Sequence, residues 1–319
     1  MIDAQYDTQP IIVDSHQNLQ SIINAAPTDA TIILNPGTYT GSFSIKKPIT
    51  LQGTNKNTTF INLSTKPNNA GIALSATNIT LSNITITNSA PGLYTTAIRI
   101  NSPHCTIHNC NILNTPIGIA VWSSHTEISH TTFENCSDEG ILLISTSISE
   151  SHYNHIHNCS FYYNCDAIEL QHSSHNTIID CIMKYNTHSA IDAICDNNNH
   201  NIISNCTISD NEVHGIYFSS SQFNMITKCS FSNNKEDNIL FTHNSNQNTI
   251  IYKNTSSTPL KEITHTSFSS AANSTKQSEN KSTNESTSVE ASTVFQKLEN
   301  FLVLLKEKIQ NLREKFSLF

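Results

Sequence analysis

Glu169 and Asp192 are the residues of this chain best placed for acid–base chemistry, with Asp166 as a third carboxylate three residues ahead of the first. They occur in similar settings, Ala167-Ile168-Glu169-Leu170 and Ala190-Ile191-Asp192-Ala193. If these two copies stack, their carboxylates repel. One pKa then rises, and that group can act as a general acid beside an ionised partner. A separation of about 5 Å would suit a retaining glycosidase. Gln171, His188 and His214 fall nearby in the pattern, and Tyr217 and Trp122 offer rings on which a sugar can stack. The competing expectation is a solvated polar column whose charges discourage edge-to-edge association.

A second constellation is made of histidines. His104, His125, His175 and His200 recur at one turn position, with Tyr153 and Phe223 in the same column. His175 and His200 are the pair expected to share a borderline metal such as copper or zinc. Packing of stacked rings is the simpler expectation, because no Cys or carboxylate completes a tetrahedral set by spacing. Acid–base chemistry at the carboxylates requires no cofactor, and a divalent metal on the histidines is the one cofactor expected.

Both constellations depend on a repeat that returns about every two dozen residues from Ala70 to Tyr252. Its anchors are Ile72, Ile98, Ile119, Ile141, Ile168, Ile191, Ile216 and Ile239. Each copy holds three short runs of alternating apolar and polar residues, the pattern of strands with one buried face. The runs are separated by Asn, Ser, Asp and His, with no helical stretch between them. A period of this size signals a solenoid. Three strands per copy with inward Ile, Val, Phe and Cys predict an all-β, single-stranded right-handed parallel β-helix.

Stacking turns equivalent residues into ladders. The residue after each anchor should point outward, giving Arg99, Ala120, Leu142, Glu169, Asp192, Tyr217 and Leu240 in one column. Cys110, Cys159, Cys181, Cys206 and Cys229 share an inward position, interrupted by Thr131. Asn164, Asn186, Asn211 and Asn234 form one Asn ladder. Asn78, Asn154, Asn176, Asn201, Asn224 and Asn248 form another, where side-chain amides can satisfy turn backbone groups. A helix over Asn18–Ala26, with Leu19, Ile22 and Ile23 on one face, is expected to cover the open first coil.

The run Leu19-Gln20-Ser21-Ile22-Ile23-Asn24-Ala25-Ala26, the turn Pro36-Gly37-Thr38-Tyr39 and Ile49-Thr50-Leu51-Gln52-Gly53 resemble the opening of pectin-lyase-like β-helix proteins. The later Ser-x-x-Asn-x-Ile and Gly-Ile coils resemble the NosD-type family, also described as carbohydrate-binding and sugar-hydrolase modules. The resemblance covers about residues 11–255. It implies the fold, a carbohydrate partner and, through the NosD type, an association with copper-site maturation. It does not fix an activity, since such coils host lyases, hydrolases, epimerases, esterases and non-enzymatic spikes. The Asn-Thr-Asp and Gly-His-Gly motifs of polygalacturonases are absent, as are the Asp-Pro-His of mannuronan epimerases and an Arg-rich lyase motif.

Composition narrows the partners. Of 319 residues 37% are hydrophobic, which suits a solenoid with a narrow core, and the formal net charge is −8. Residues 294–319 are weakly basic, so the body is more acidic than the whole. An acidic body argues against nucleic acid, which needs a basic face. It also disfavours polyanionic sugars unless a cation bridges them. Met1–Asp7 has neither the basic start nor the apolar core of a signal peptide, and no apolar run is long enough for a transmembrane segment. Most of the nine cysteines lie in a buried ladder, so reduced thiols are expected, with a cytoplasmic location or signal-less export.

The expected division is an N-terminal arm over 1–17, the β-helix with its cap over 18–262, a Ser/Thr/Asn-rich linker over 263–293 and a heptad helix over 294–319. The function expected is recognition, and possible hydrolysis, of a polysaccharide on an outer face. The alternatives are an oligomeric scaffold, spike or effector-like module, and a NosD-like copper accessory protein. Phe295, Leu298, Leu302, Leu305, Ile309, Leu312, Phe316 and Phe319 alternate spacings of three and four, which predicts a homo-oligomer or a partner helix at the C-terminus. Light scattering with and without residues 294–319 should show an oligomer that falls to monomer on truncation; a monomer in both removes the assembly expectation.

Overall fold

The computed structural model describes residues 9–88, 92, 94–251 and 262–264. The linker from residue 265 and the heptad helix over 294–319 lie outside the described residues, as do residues 1–8. The described chain winds as a right-handed parallel β-solenoid of three sheets, with 12, 9 and 9 strands. One coil shows the order: Glu127–Ser129 in the first sheet, Thr132–Glu134 in the second, Glu139–Ile144 in the third. The anchor isoleucines pair in unbroken register from Ile72 to Ile239. All but the last are fully buried.

Corners of the repeated coils carry a residue in the left-handed region, such as His125, His130 and Asn135 at φ of 58°, 53° and 57°. Asn, Asp and His tolerate that conformation better than most residues. Tyr153, Tyr163, Tyr185 and Phe223 adopt it too. Their rings stack along the corner columns, an attraction that offsets the backbone cost.

The Asn ladders satisfy the backbone at these corners. Thr126 N–H donates to Asn154 Oδ1 at 2.9 Å, Asn154 N–H to Asn176 Oδ1 at 2.9 Å, and Asn176 N–H to Asn201 Oδ1 at 2.9 Å. The chain of bonds continues through Asn224 to Asn248. The second ladder repeats the device from Cys136 through Asn164, Asn186 and Asn211 to Asn234. Asn78 is not part of it: it is exposed, with φ of 57°, in the corner column of His104. The registers place Ile79, Cys105 and Thr126 in line with Asn154 instead.

The Cys ladder is buried and free of disulfides. Each thiol donates to the carbonyl two residues earlier, as Cys181 does to Ile179 at 3.2 Å and Cys206 to Ser204 at 3.3 Å. Thr131 donates its hydroxyl to Ser129 O at 2.9 Å in the same way. The interruption therefore preserves the column's hydrogen bond.

Two boundaries differ from expectation. Ile11–Val13, within the expected arm, pairs with Thr31–Leu34 and adds a strand to the first sheet. At the other end Glu262–Thr264 pairs antiparallel with Thr249–Ile251, so the sheet runs two residues past 262. The helix is Leu19–Ala25, capped where Asn18 Oδ1 accepts from Ser21 N–H. Leu19 and Ile23 join the core. Gln20 bonds both backbone groups of Ser44, on the edge strand Phe43–Ile45, at 2.8 and 3.0 Å. No helix among the described residues is long and apolar enough to cross a membrane.

Replacing Asn176 by Ala leaves the buried Asn154 N–H without an acceptor, a penalty of about 1–3 kcal/mol before the cavity is counted. Urea unfolding should show the loss, whereas an unchanged midpoint would mean that the ladder is not structural.

Candidate functional site

The third sheet presents three outward columns. The column after the anchors runs Arg99, Ala120, Leu142, Glu169, Asp192, Tyr217, Leu240, as register pairs show. Glu169 and Asp192 are therefore direct neighbours on adjacent coils. Outward does not mean solvated, however. Glu169 is 8% exposed and Asp192 4%. Ile117, Ala120, Leu142 and Ile144 form a second buried apolar cluster on this face, with Trp122 against it.

Asp166 and His188 complete the acidic end. Asp166 Oδ1 accepts from His188 Nδ1 at 2.9 Å and from Ser189 N–H at 2.7 Å. The same His188 nitrogen lies 3.5 Å from Asp192 Oδ2. Gln171 donates to Glu169 Oε1. Tyr217, the next residue in the column, stacks with His214 at 5.7 Å and bonds Thr242 Oγ1 at 3.0 Å. Glu169, Asp192, Asp166, Gln171, His188, Tyr217 and His214 thus share one face. Trp122 shares the face but lies two coils away from Glu169, beneath the Arg99 guanidinium at 5.4 Å.

Burial controls the protonation of this cluster. It raises the Asp192 pKa well above the usual carboxylate value, and the neighbouring Asp166 and Glu169 push it further. Burial also raises Asp166, against the opposing pull of His188. For His188 burial acts downward, but the hydrogen bond and charge of Asp166 outweigh it and take the pKa to about 9. Burial lowers the pKa of His214.

His175 and His200 sit elsewhere, on a corner column. Their rings are parallel within 6° at 4.8 Å, between Tyr153 and Phe223 at 4.9 Å each. Two nitrogens bound to one zinc can be at most about 4.2 Å apart. Parallel rings at this spacing do not converge on one ion, so the expected pairing at His175 and His200 is a packing stack as it stands.

The family model for the right-handed β-helix region matches residues 44–162, 70–200 and 118–286. The chain belongs to this family. No protein of curated function shows a matching sequence. Among solved structures, the enzymatically active domain of tailspike protein 2 from bacteriophage CBA120 is similar, with a TM-score of 0.61 and 12% identity over 76% of this chain and 43% of that one. A full-length tailspike protein 2 from an Escherichia coli O157:H7 bacteriophage gives 0.57 and 14%, over 73% and 36%. Pectate lyase Pel9A gives 0.51 and 13%, over 72% and 78%. The chain spans less than half the length of these tailspike proteins. At such identities the similarity establishes the fold alone.

One member of the site is missing from the sequence expectations. Glu139 is the register partner of Asp166 and is 2% exposed. Aligning Glu139-Gly140-Ile141-Leu142 on Asp166-Ala167-Ile168-Glu169 superposes the two acids, so the signal was present in the repeat. The buried apolar cluster beside it carries no such signal, because exposure does not follow from strand alternation.

The cluster should make stability depend on alkaline pH. His188, raised in the folded state, stabilises fully below its unfolded value of about 6.5, and that contribution is lost as pH rises through about 9. Asp192, also raised, acts with the same sign, since the folded state keeps a proton that the unfolded chain releases. The thermal midpoint should fall between neutral pH and pH 10, and less so in His188→Gln. Equal slopes in both proteins would show that the cluster does not carry the effect.

Proposed function

We propose that the outward face of the third sheet binds a carbohydrate polymer and that Glu169 and Asp192 act on it. The observation that carries this reading is the buried pair of register-adjacent carboxylates beside Tyr217 on one continuous face. A face built of coil-by-coil columns suits a polymer, since each coil offers a similar step. Trp122 and Tyr217 supply ring surface, and Gln171 and His214 supply polar groups. The tailspike enzymatic domain and the pectate lyase similar in fold are in keeping with such a partner.

In this reading Asp192 keeps its proton because burial and two neighbouring acids disfavour its charge, and it donates that proton to a glycosidic oxygen. Glu169, oriented by Gln171, bonds through its carboxylate to the anomeric carbon as the protonated leaving oxygen departs, and a water then displaces it and returns a proton to Asp192. The carboxylates on this face disfavour uronate polymers, so a neutral or weakly charged glycan is the expected substrate.

A glycan panel read for both binding and cleavage tests the proposal. Asp192→Asn and Glu169→Gln should each reduce turnover roughly a hundredfold or more, with the fold intact by circular dichroism. No binding and no turnover of any glycan by the wild type would overturn the function. Undiminished turnover in both variants would overturn the residue assignment alone.

A further inference from the structure

The Asp166, His188 and Asp192 side chains form a more convergent constellation than acid–base chemistry requires. Each offers one ligand atom, and these atoms lie within 4.8 Å of one another. Ligand atoms on one tetrahedral zinc, each about 2.0–2.2 Å from it, stand about 3.3–3.6 Å apart. His188 Nδ1 already lies 2.9 Å from Asp166 Oδ1 and 3.5 Å from Asp192 Oδ2, so side-chain rotation of the two acids is the adjustment the set needs. We propose that these three residues bind a divalent transition-metal ion, with zinc or manganese as the fitting class.

Asp192 supplies an observation independent of that spacing. Its side chain is 6% exposed and turned towards His188, yet Oδ1 has no hydrogen-bond partner among the described residues. A buried carboxylate oxygen without a partner is costly, and a cation is the ligand that satisfies it. The surroundings add to that demand, because Glu139 and Glu169 bring two more buried carboxylates to the same face. His188 is the side of the site that meets solvent, with 30% of its side chain exposed, and it gives an ion a way in.

The donor set also selects the ion. Calcium and magnesium favour all-oxygen coordination, whereas an imidazole with two carboxylates suits zinc or manganese. The frame is rigid enough to hold such a set. Asp166 lies on the strand Asp166–Gln171 and Asp192 on Ile191–Ala193, both paired on their two sides. His188 N–H is tied to Cys165 O at 2.9 Å, and Ser189 N–H orients Asp166 at 2.7 Å.

This inference does not rest on glycan chemistry, and the two are separable. A bound cation takes the place of the proton assigned to Asp192, so chelation should preserve or raise acid-dependent turnover. Glycan turnover without metal binding overturns the metal site alone. Metal binding without any glycan activity supports it and leaves the functional proposal to fail by itself.

The test is calorimetric titration of the full chain, stripped with chelator, using Zn²⁺, Mn²⁺ and Ca²⁺ in turn. One Zn²⁺ or Mn²⁺ per chain should bind at least tenfold more tightly than Ca²⁺. His188→Ala and Asp192→Asn should each weaken that binding roughly tenfold or more, while the double variant His175→Ala/His200→Ala leaves it unchanged. Asp192→Asn keeps the side-chain shape and removes a buried acid, so it should stay folded. If either variant fails to fold, electron spin echo spectra of wild type loaded with Mn²⁺ decide, since a bound imidazole gives nitrogen modulation. Absence of a stoichiometric ion, equal affinity in the two site variants, Ca²⁺ binding as tight as Zn²⁺, or Mn²⁺ spectra without nitrogen coupling would overturn the proposal.

Discussion

The hydrogen bond from a buried corner N–H to the Asn side chain one coil further on is the interaction that the rest of the molecule depends on. A solenoid with three sheets must turn its backbone three times per coil, and each turn leaves amides that no strand pairs. Burying one without a partner costs about 1–3 kcal/mol, a large share of the stability of an ordinary domain. The amides of Asn154, Asn176, Asn201 and Asn224 meet that demand with a side chain that is itself nearly fully buried. Because acceptor and donor lie on successive coils, the bond also locks register. A slip of one residue would turn every inward isoleucine to the outside.

Locked register is what makes the outward columns informative. The inward positions are held to apolar residues, with Asn at the ladders, so chemical variety collects on the outside of the third sheet. There Arg99 gives way to an apolar patch, then to acids, then to Tyr217, along a single line of strand-paired residues. The backbones of Glu169 and Asp192 cannot separate without breaking the parallel pairing of their strands. Electrostatic strain that a loop would relax is therefore retained.

Much of this was legible in the sequence, for a physical reason. The repeat period, the anchor isoleucines and the neighbouring positions of Glu169 and Asp192 follow from alternation and stacking alone. Asn78 shows the limit of that reading. Its type matches the Asn ladder, but it stands one residue off, at a corner where Asn is favoured for its backbone rather than for its amide. The Cys ladder shows another limit. Its burial was legible, whereas the hydrogen bond that also admits Thr131 was not, because it depends on the corner geometry. Glu139 and the buried state of the acids required the third dimension, since alternation tells which way a side chain points and not what lies over it.

The size of the repulsion decides what the acidic end must contain. Carboxylates on strand-paired residues, whose backbones stand about 4.8 Å apart, repel at short range. Burial adds to that cost. His188 carries a single positive charge when protonated and spends most of it on Asp166, the closer of its two acidic partners at 2.9 against 3.5 Å. Asp192, the farther partner, is left only partly compensated, and burial disfavours its charge. The column must hold either a proton or a cation in addition to His188. Both occupants are chemically useful on the outer face of a solenoid, and only the coil-to-coil register makes the choice between them necessary.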